Sequence, residues 1–154
     1  MDRDILEKIL ITLDSRIRQK EHADRAAVDV PPAALFGLMQ KLHDDERLAF
    51  DMLLDHTAID HLAQNRFELV YNLYSTTHGH YVMVSCDIDR VNSVAPTVST
   101  IWPIAHWQER EVFDLLGIHY DGHTDLRRVF LEDNWQGHPL RKDYKDADML
   151  EFPR

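Results

Sequence analysis

The sequence predicts an α+β fold: helices packed on a small mixed, largely antiparallel sheet, followed by an extended C-terminal segment. Three observations lead there. Apolar residues recur at helical spacing near the N-terminus and again after Pro31 and Pro103. Runs of strand-forming residues lie between those stretches, and beyond Ile118 Gly, Asp, Asn and Pro interrupt every period.

Ile5, Leu6, Ile9, Leu10, Leu13 and Ile17 predict an amphipathic helix over roughly residues 2–19. Glu21 to Arg25 reads as a polar connector, and Ala26 to Val30 as a short strand closed by Pro31. Pro31 and Pro32 suit a helix start, with Leu35, Leu38, Met39 and Leu42 as its apolar face. Leu48–Ala58, Phe67–Tyr74 and Tyr81–Asp87 follow as strands, the last two joined into a hairpin by Ser75 to His80. After Pro103 a second long helix is expected. Its face is Ile104, Trp107, Val112, Leu115 and Leu116, and Gly117 is its C-cap. The domain is expected to occupy residues 1–120, with residues 121–154 as an irregular docking segment of the same domain.

Composition narrows the function. The 154 residues carry a net charge of −10, which opposes binding to free nucleic acid or to an anionic lipid surface. Cys86 is the sole cysteine, so it has no partner for an internal disulfide and cannot ligate an iron–sulfur cluster alone. No apolar run is long enough to span a bilayer, and MDRD begins no signal-peptide core. A soluble, cytoplasmic chain is expected, reaching a membrane only through a partner.

The stretch from Trp107 to Tyr144 is dense in charge, aromatics and His, yet it lacks recognisable chemistry. HExxH and CxxC are absent, so His106, His119, His123 and His138 read as caps or surface hydrogen-bonders rather than metal ligands. His78 and His80 read as a polar turn, and Cys86 as a buried thiol. Glu109 and Glu111 point about 200° apart on a helix, so they do not face each other for acid–base work. Arg110 and Asp114 stand at i and i+4, a geometry suited to an ion pair. The helix charges are expected to hold Arg127, Arg128 or Arg141 from the segment beyond. With glycines only at 37, 79, 117, 122 and 137, no phosphate cradle is visible.

The aromatics suit an interface better. Trp102, Trp107 and Trp135, with Phe113, Tyr120, Phe130 and Tyr144, mix with Arg127, Arg128, Arg141 and Lys142. Trp107 and Phe113 also fit an ordinary core. For Trp135 and the Arg141-Lys142-Asp143-Tyr144 run, docking is the better account.

These residues also carry a resemblance. Glu109-Arg110-Glu111, Asp114-Leu115-Leu116-Gly117-Ile118, Gly122-His123, Asp125-Leu126-Arg127-Arg128 and Gly137-His138-Pro139-Leu140-Arg141-Lys142-Asp143-Tyr144 form a set. It resembles the signature of the 30 kDa subunit, or C-subunit, of NADH-quinone oxidoreductase (respiratory complex I). Trp102-Pro103 and Ala105 are compatible, whereas Thr124 replaces a frequent Pro and Phe130 a smaller aliphatic.

The resemblance implies an α+β subunit with no catalytic, cofactor-binding or metal residues of its own. FMN, iron–sulfur clusters and quinone would belong to partner subunits. The chain would sit in the peripheral arm against the quinone-site and iron–sulfur subunits, on the cytoplasmic face of the cell membrane. It would act as a scaffold in proton-coupled electron transport. His123, Arg127, Arg128, Trp135 and the run Pro139, Leu140, Arg141, Lys142, Asp143, Tyr144 are expected to present contacts. Glu109, Arg110, Glu111, Asp114 and Gly117 would supply the frame. An isolated chain with such a face is expected to be able to form a homodimer. Two other readings stand beside this one. One is the equivalent subunit of a membrane-bound energy-converting hydrogenase or other relative. The other is a free-standing metal-dependent hydrolase using His106, Glu109, Glu111 and His123.

Overall fold

The strongest strand signals become the centre of the sheet. A computed structural model describes residues 3–20, 23–147 and 149. Its helices are α1 (Arg3–Leu13), α2 (Pro32–Asp44) and α3 (Ala105–Leu116). Its strands are β1 (Arg18–Gln19), β2 (Ala27–Asp29), β3 (Met52–His61), β4 (Arg66–Ser75), β5 (His80–Asp89), β6 (Val94–Pro96) and β7 (His119–Asp121). The main sheet has the order β1-β2-β5-β4-β3, antiparallel except for β2 beside β5. The mixed, mostly antiparallel α+β expectation is met.

The β4–β5 register sets two faces. Phe67, Leu69, Tyr71 and Leu73 lie opposite Ile88, Cys86, Val84 and Val82, and all eight are buried. They join Leu6 and Leu10 of α1, Leu35, Leu38, Met39 and Leu42 of α2, and Val112 and Leu116 of α3 in one core. The other face carries Ile59, Met52 and Tyr81, which are exposed, and Tyr74, whose ring centroid is 4.4 Å from that of Tyr81.

Two boundaries differ from expectation for local reasons. The helix predicted over residues 2–19 ends at Leu13, because the Asp14 carboxylate accepts the Arg16 N–H at 2.9 Å and the Ile17 N–H returns to the Asp14 carbonyl. That turn still buries Ile17 but releases Arg18 and Gln19 to pair with β2. The third strand starts at Met52, not Leu48. The N–H groups of Leu48 and Ala49 both bond the Asp45 carbonyl, and Ala49 adopts φ 43°, so Leu48 and Phe50 are buried from a turn. The Pro31-Pro32 helix start holds as expected. Within the Glu21–Arg25 connector, Glu21 and His22 lie outside the described residues.

A short parallel pair, β6 and β7, was not foreseen, being only three residues per strand. It brings the chain after α3 back beside the loop that enters α3. Beyond β7, residues 122–147 run without helix or strand. The turn that makes this return possible is Gly117, at φ 73°, whose N–H bonds the Phe113 carbonyl at 2.9 Å.

A Cβ at Gly117 would stand 2.5 Å from His138 Cδ2 and 3.0 Å from Arg141 Nη2. Gly117→Ala is therefore expected to lose about 2–4 kcal/mol, combining left-handed strain with a forced shift of that segment. Urea denaturation of the purified chain measures it; a midpoint equal to the parent's would contradict the close approach.

Candidate functional site

The face that α3 turns inward carries charge beside Ala105, Val112 and Leu116. Glu109 and Asp114 are fully buried and Arg110 nearly so, while Ile104 and Trp107, expected on the apolar face, are 48% and 57% exposed. Trp107 is thus not core. Trp102 and Tyr120 are, and Trp102 donates its Nε1–H to the Phe50 carbonyl at 3.0 Å. Buried charges demand partners, and α3 finds them in the segment that follows it.

Asp114 is the most heavily used. Its Oδ2 accepts the backbone N–H groups of Val129 (2.9 Å), Phe130 (2.7 Å) and Leu131 (3.0 Å), and its Oδ1 accepts Arg128 Nη1 at 2.7 Å. Burial alone would raise its pKa, but these donors, the Leu131 N–H foremost, outweigh it and hold the carboxyl below the usual range. The i,i+4 ion pair with Arg110 expected from spacing does not form. Arg110 instead donates to the carbonyls of Arg127 (3.1 Å) and Arg128 (3.2 Å) and lies 4.7 Å from the Trp107 ring centre. The expectation that helix charge holds Arg128 is met by Asp114. Arg127 turns outward and pairs with Asp125 at 2.9 Å.

The same segment caps the end of α3. The Asp114 carbonyl accepts Arg128 Nη1 (3.0 Å) and His138 Nδ1 (2.9 Å), the Leu115 carbonyl accepts the Leu140 N–H (3.0 Å), and the Leu116 carbonyl accepts Arg141 Nε (2.6 Å). Carbonyls left unpaired by the helix are thereby satisfied, partly by guanidinium groups that favour the negative end of its dipole. Arg128 Nη2 also ties down the carbonyls of Trp135 and Gly137, both at 3.1 Å. Tyr144 packs on Gly137, where a Cβ would lie 2.9 Å from its ring, and its hydroxyl donates to Asp146 at 2.8 Å.

Glu109 forms a second buried site. It accepts the Val98 N–H at 2.7 Å and the Thr97 hydroxyl at 2.5 Å. Burial nevertheless dominates and pushes its pKa up to about 7. His123, expected to face partners, has a fully buried side chain with Nε2 4.0 Å from Glu109. Its Nδ1 accepts the Asp125 N–H at 3.1 Å, so Nε2 carries the proton and donates to the His106 carbonyl at 3.1 Å. A neutral ring results, and burial lowers its pKa. The His106 ring lies 4.5 Å from it, tilted by 36°, but Glu111 is exposed elsewhere on the helix. Three of the four residues of the hydrolase reading therefore come together but Glu111 does not, and among the described residues no group of three or more His, Cys, Asp or Glu is placed to hold a metal ion.

Below Glu109 the sheet adds residues that sequence reasoning missed. His56 donates Nδ1–H to the Val70 carbonyl at 3.0 Å, accepts the Tyr120 hydroxyl at Nε2, and stacks on Tyr71 at 4.0 Å. Asp60 accepts Arg90 Nε at 2.8 Å and the Lys142 N–H at 2.8 Å, while Arg90 also pairs with Asp143. The signal that could have found them is parity: His56 and Asp60 sit at the inward positions of β3, where a charged residue needs a partner.

Outside this frame stand Phe130, Leu140, Trp135 and Val129, 65%, 58%, 38% and 38% exposed, together with Trp107. Pro139 is half-buried, and Lys142 points to solvent. The fold and site define an α+β scaffold that grips its own C-terminal segment with buried charge and leaves the segment's apolar side chains outside.

Comparison with known proteins agrees. Residues 28–149 match the family described as respiratory-chain NADH dehydrogenase, 30 Kd subunit. The NADH-quinone oxidoreductase C-subunit of Moorella thermoacetica is 39% identical over 145 residues, covering 94% of this chain and 95% of that protein. Two other relatives, from Geobacter metallireducens and Roseobacter denitrificans, are longer, and the aligned region spans 61% and 62% of them. A chain of an archaeal respiratory membrane complex, the membrane-bound sulfane sulfur reductase, superposes with a TM-score of 0.80 at 25% identity, covering 94% of this chain and 86% of that one. The trypsin-resistant fragment of Nqo5 gives 0.64 at 27% identity, covering 79% and 98% respectively. The chain belongs to the respiratory-chain NADH dehydrogenase 30 kDa subunit family.

Two substitutions check the electrostatics. Asp114→Asn leaves Arg128 buried without its counter-charge and is expected to cost about 3–5 kcal/mol, measured by urea denaturation. Glu109 binds its proton more tightly folded than unfolded, since its pKa rises from 4.5 to about 7. Its contribution is therefore complete below about pH 4.5 and is lost as pH rises through about 7, a change on the order of 3 kcal/mol. Glu109→Gln should remove that decline from a stability profile taken between pH 5 and 8, and an unchanged profile would refute it.

Proposed function

We propose that this chain is a peripheral-arm subunit of a complex-I-type NADH:quinone oxidoreductase that carries no cofactor of its own and acts as a scaffold. FMN, iron–sulfur clusters and quinone belong to its partners. The quinone-site and iron–sulfur subunits are the neighbours against which residues 121–154 dock. The supporting observation is the division of labour in the signature. Asp114, Arg110, His123, Arg128 and Arg141 are used inside the chain, so the surface left for partners is Phe130, Trp135, Leu140 and Trp107. Among the described residues no helix is long and apolar enough to cross a membrane. Attachment at the cytoplasmic face then runs through partner subunits, and the exposed apolar face would let the isolated chain form a homodimer.

A second reading has one observation in its favour: a chain of the sulfane sulfur reductase complex superposes over 94% of this chain with a TM-score of 0.80. In that reading the same scaffold serves another membrane-bound respiratory complex, such as an energy-converting hydrogenase.

The test must avoid residues that hold the fold. Truncation after Gly137 also strips Leu140 and Arg141 from the end of α3, so it confounds docking with folding. Phe130→Asp and Leu140→Asp change exposed side chains only. Each is expected to keep the isolated chain's melting temperature within about 2 °C, yet to abolish NADH:quinone reductase activity and co-purification of the other subunits. Normal assembly in both would remove the docking reading; recovery with sulfur reductase or hydrogenase subunits would favour the second.

A further inference from the structure

The end of the signature is tied down by two residues that lie far outside it. Asp60, at the close of β3, and Arg90, just after β5, form a buried pair, with side chains 2% and 9% exposed. The pair is bidentate, Nε to Oδ1 at 2.8 Å and Nη2 to Oδ2 at 3.1 Å. Neither partner is saturated by the other. The Asp60 Oδ2 also accepts the Lys142 backbone N–H at 2.8 Å, and Arg90 Nη2 also donates to the Asp143 carboxylate. Phe67 on β4 completes the seat, with the Arg90 and Arg141 guanidinium carbons 5.6 and 5.1 Å from its ring centre.

Two features show that this contact acts on the segment rather than on the sheet. The strand ladder is already closed by pairing of Asp60 with Phe67 and of Arg66 with both His61 and Asp89, so the sheet does not need Lys142 or Asp143. Asp143 is half exposed, and its carboxylate could turn to water at little cost but points at Arg90 instead. The contact also supplements the α3 caps: Leu140 and Arg141 are held to the helix end, and Lys142 and Asp143 to the sheet. Consecutive residues are thus clamped from two sides.

We propose that Asp60 and Arg90 are positioning residues that order residues 138–146 in the free chain, so that the docking surface exists before any partner arrives. The inference rests on the docking reading above. It adds that the segment binds as a preformed surface and not by folding on contact. Without the latch only a fraction of molecules would present the surface, and the apparent affinity for partners would fall by that same fraction.

The experiment compares the parent chain with Asp143→Asn, which removes the charge that pairs with Arg90 and leaves the buried pair and the Lys142 N–H bond to Asp60 intact, and with Asp143→Glu, which restores the carboxylate. Amide hydrogen exchange is measured on each, and the concentration of chain giving half-maximal restoration of quinone reductase activity is measured on membranes from a strain lacking the chain. For Asp143→Asn, exchange in residues 138–146 should rise roughly tenfold, to near the unprotected rate, that in β4 and β5 should stay unchanged, and the half-maximal concentration should rise by the inverse of the fraction still ordered. Asp143→Glu should recover most of both. Unchanged exchange in residues 138–146 overturns the latch. Faster exchange with unaltered restoration overturns positioning, and the Phe130→Asp and Leu140→Asp variants then separate the causes. If those still block assembly, docking stands and the latch inference alone fails; if they do not, the docking reading fails.

Discussion

The structure turns on one carboxylate. Asp114 sits at zero exposure near the end of α3, and an ionised group there is tolerable only if its oxygens are filled. No neighbour on its own helix fills them. The donors come from three successive N–H groups at Val129–Leu131 and from Arg128, residues that lie across the turn at Gly117 and the short strand β7. Three N–H groups can converge on a single oxygen only if the backbone curls around it, so the carboxylate dictates the path of the segment as well as its attachment. Arg128 then passes the constraint on, bonding the carbonyls of Trp135 and Gly137. The chain returns at Gly137 to lay His138, Leu140 and Arg141 over the end of the helix.

That dependence explains which parts of the fold were legible in the sequence. Periodicity found the helices and the three long strands because their burial follows apolar spacing. It found only part of α3's inward face: Val112 and Leu116 go inside as expected, but so do Glu109, Arg110 and Asp114, while Ile104 and Trp107 stay out. Pattern reading assigns charge to solvent by default, and only the residues that neutralise it, well along the chain and in no regular element, reveal the opposite. The early end of α1 has a different cause. Ile17 keeps helical spacing and is buried, but from a turn made by Asp14 that hydropathy alone does not register.

The site was legible as a set of residues and illegible as a geometry. The signature from Glu109 to Tyr144 marks the region proposed to dock. Within it, His123 was expected to face outward, yet it is enclosed beside Glu109; Arg128, expected both to be held by helix charge and to present contacts, is held by Asp114. Residue identity alone cannot distinguish a contact offered to a partner from one already made within the chain. Asp60 shows in the sequence only as a charge at an inward position of β3, and Arg90 not at all, for a related reason. Each is an ordinary polar residue at a strand end, and its importance comes from Lys142 and Asp143, which meet it only in three dimensions.

A scaffold of this design separates ordering from association. Fixing a backbone residue costs roughly 1–2 kcal/mol, so ordering residues 138–146 at the moment of docking would cost on the order of 10 kcal/mol. Here much of that cost is met during folding, by hydrogen bonds to α3 and to Asp60 and Arg90. Association then draws on the exposed aromatic and aliphatic groups with less entropy to overcome. The distance between redox partners held by such a scaffold would also vary less, because the segment is anchored at both the helix end and the sheet. On the proposed scaffold reading, charge buried inside the chain would in this way act on electron transfer by fixing the spacing of redox groups held by its partners.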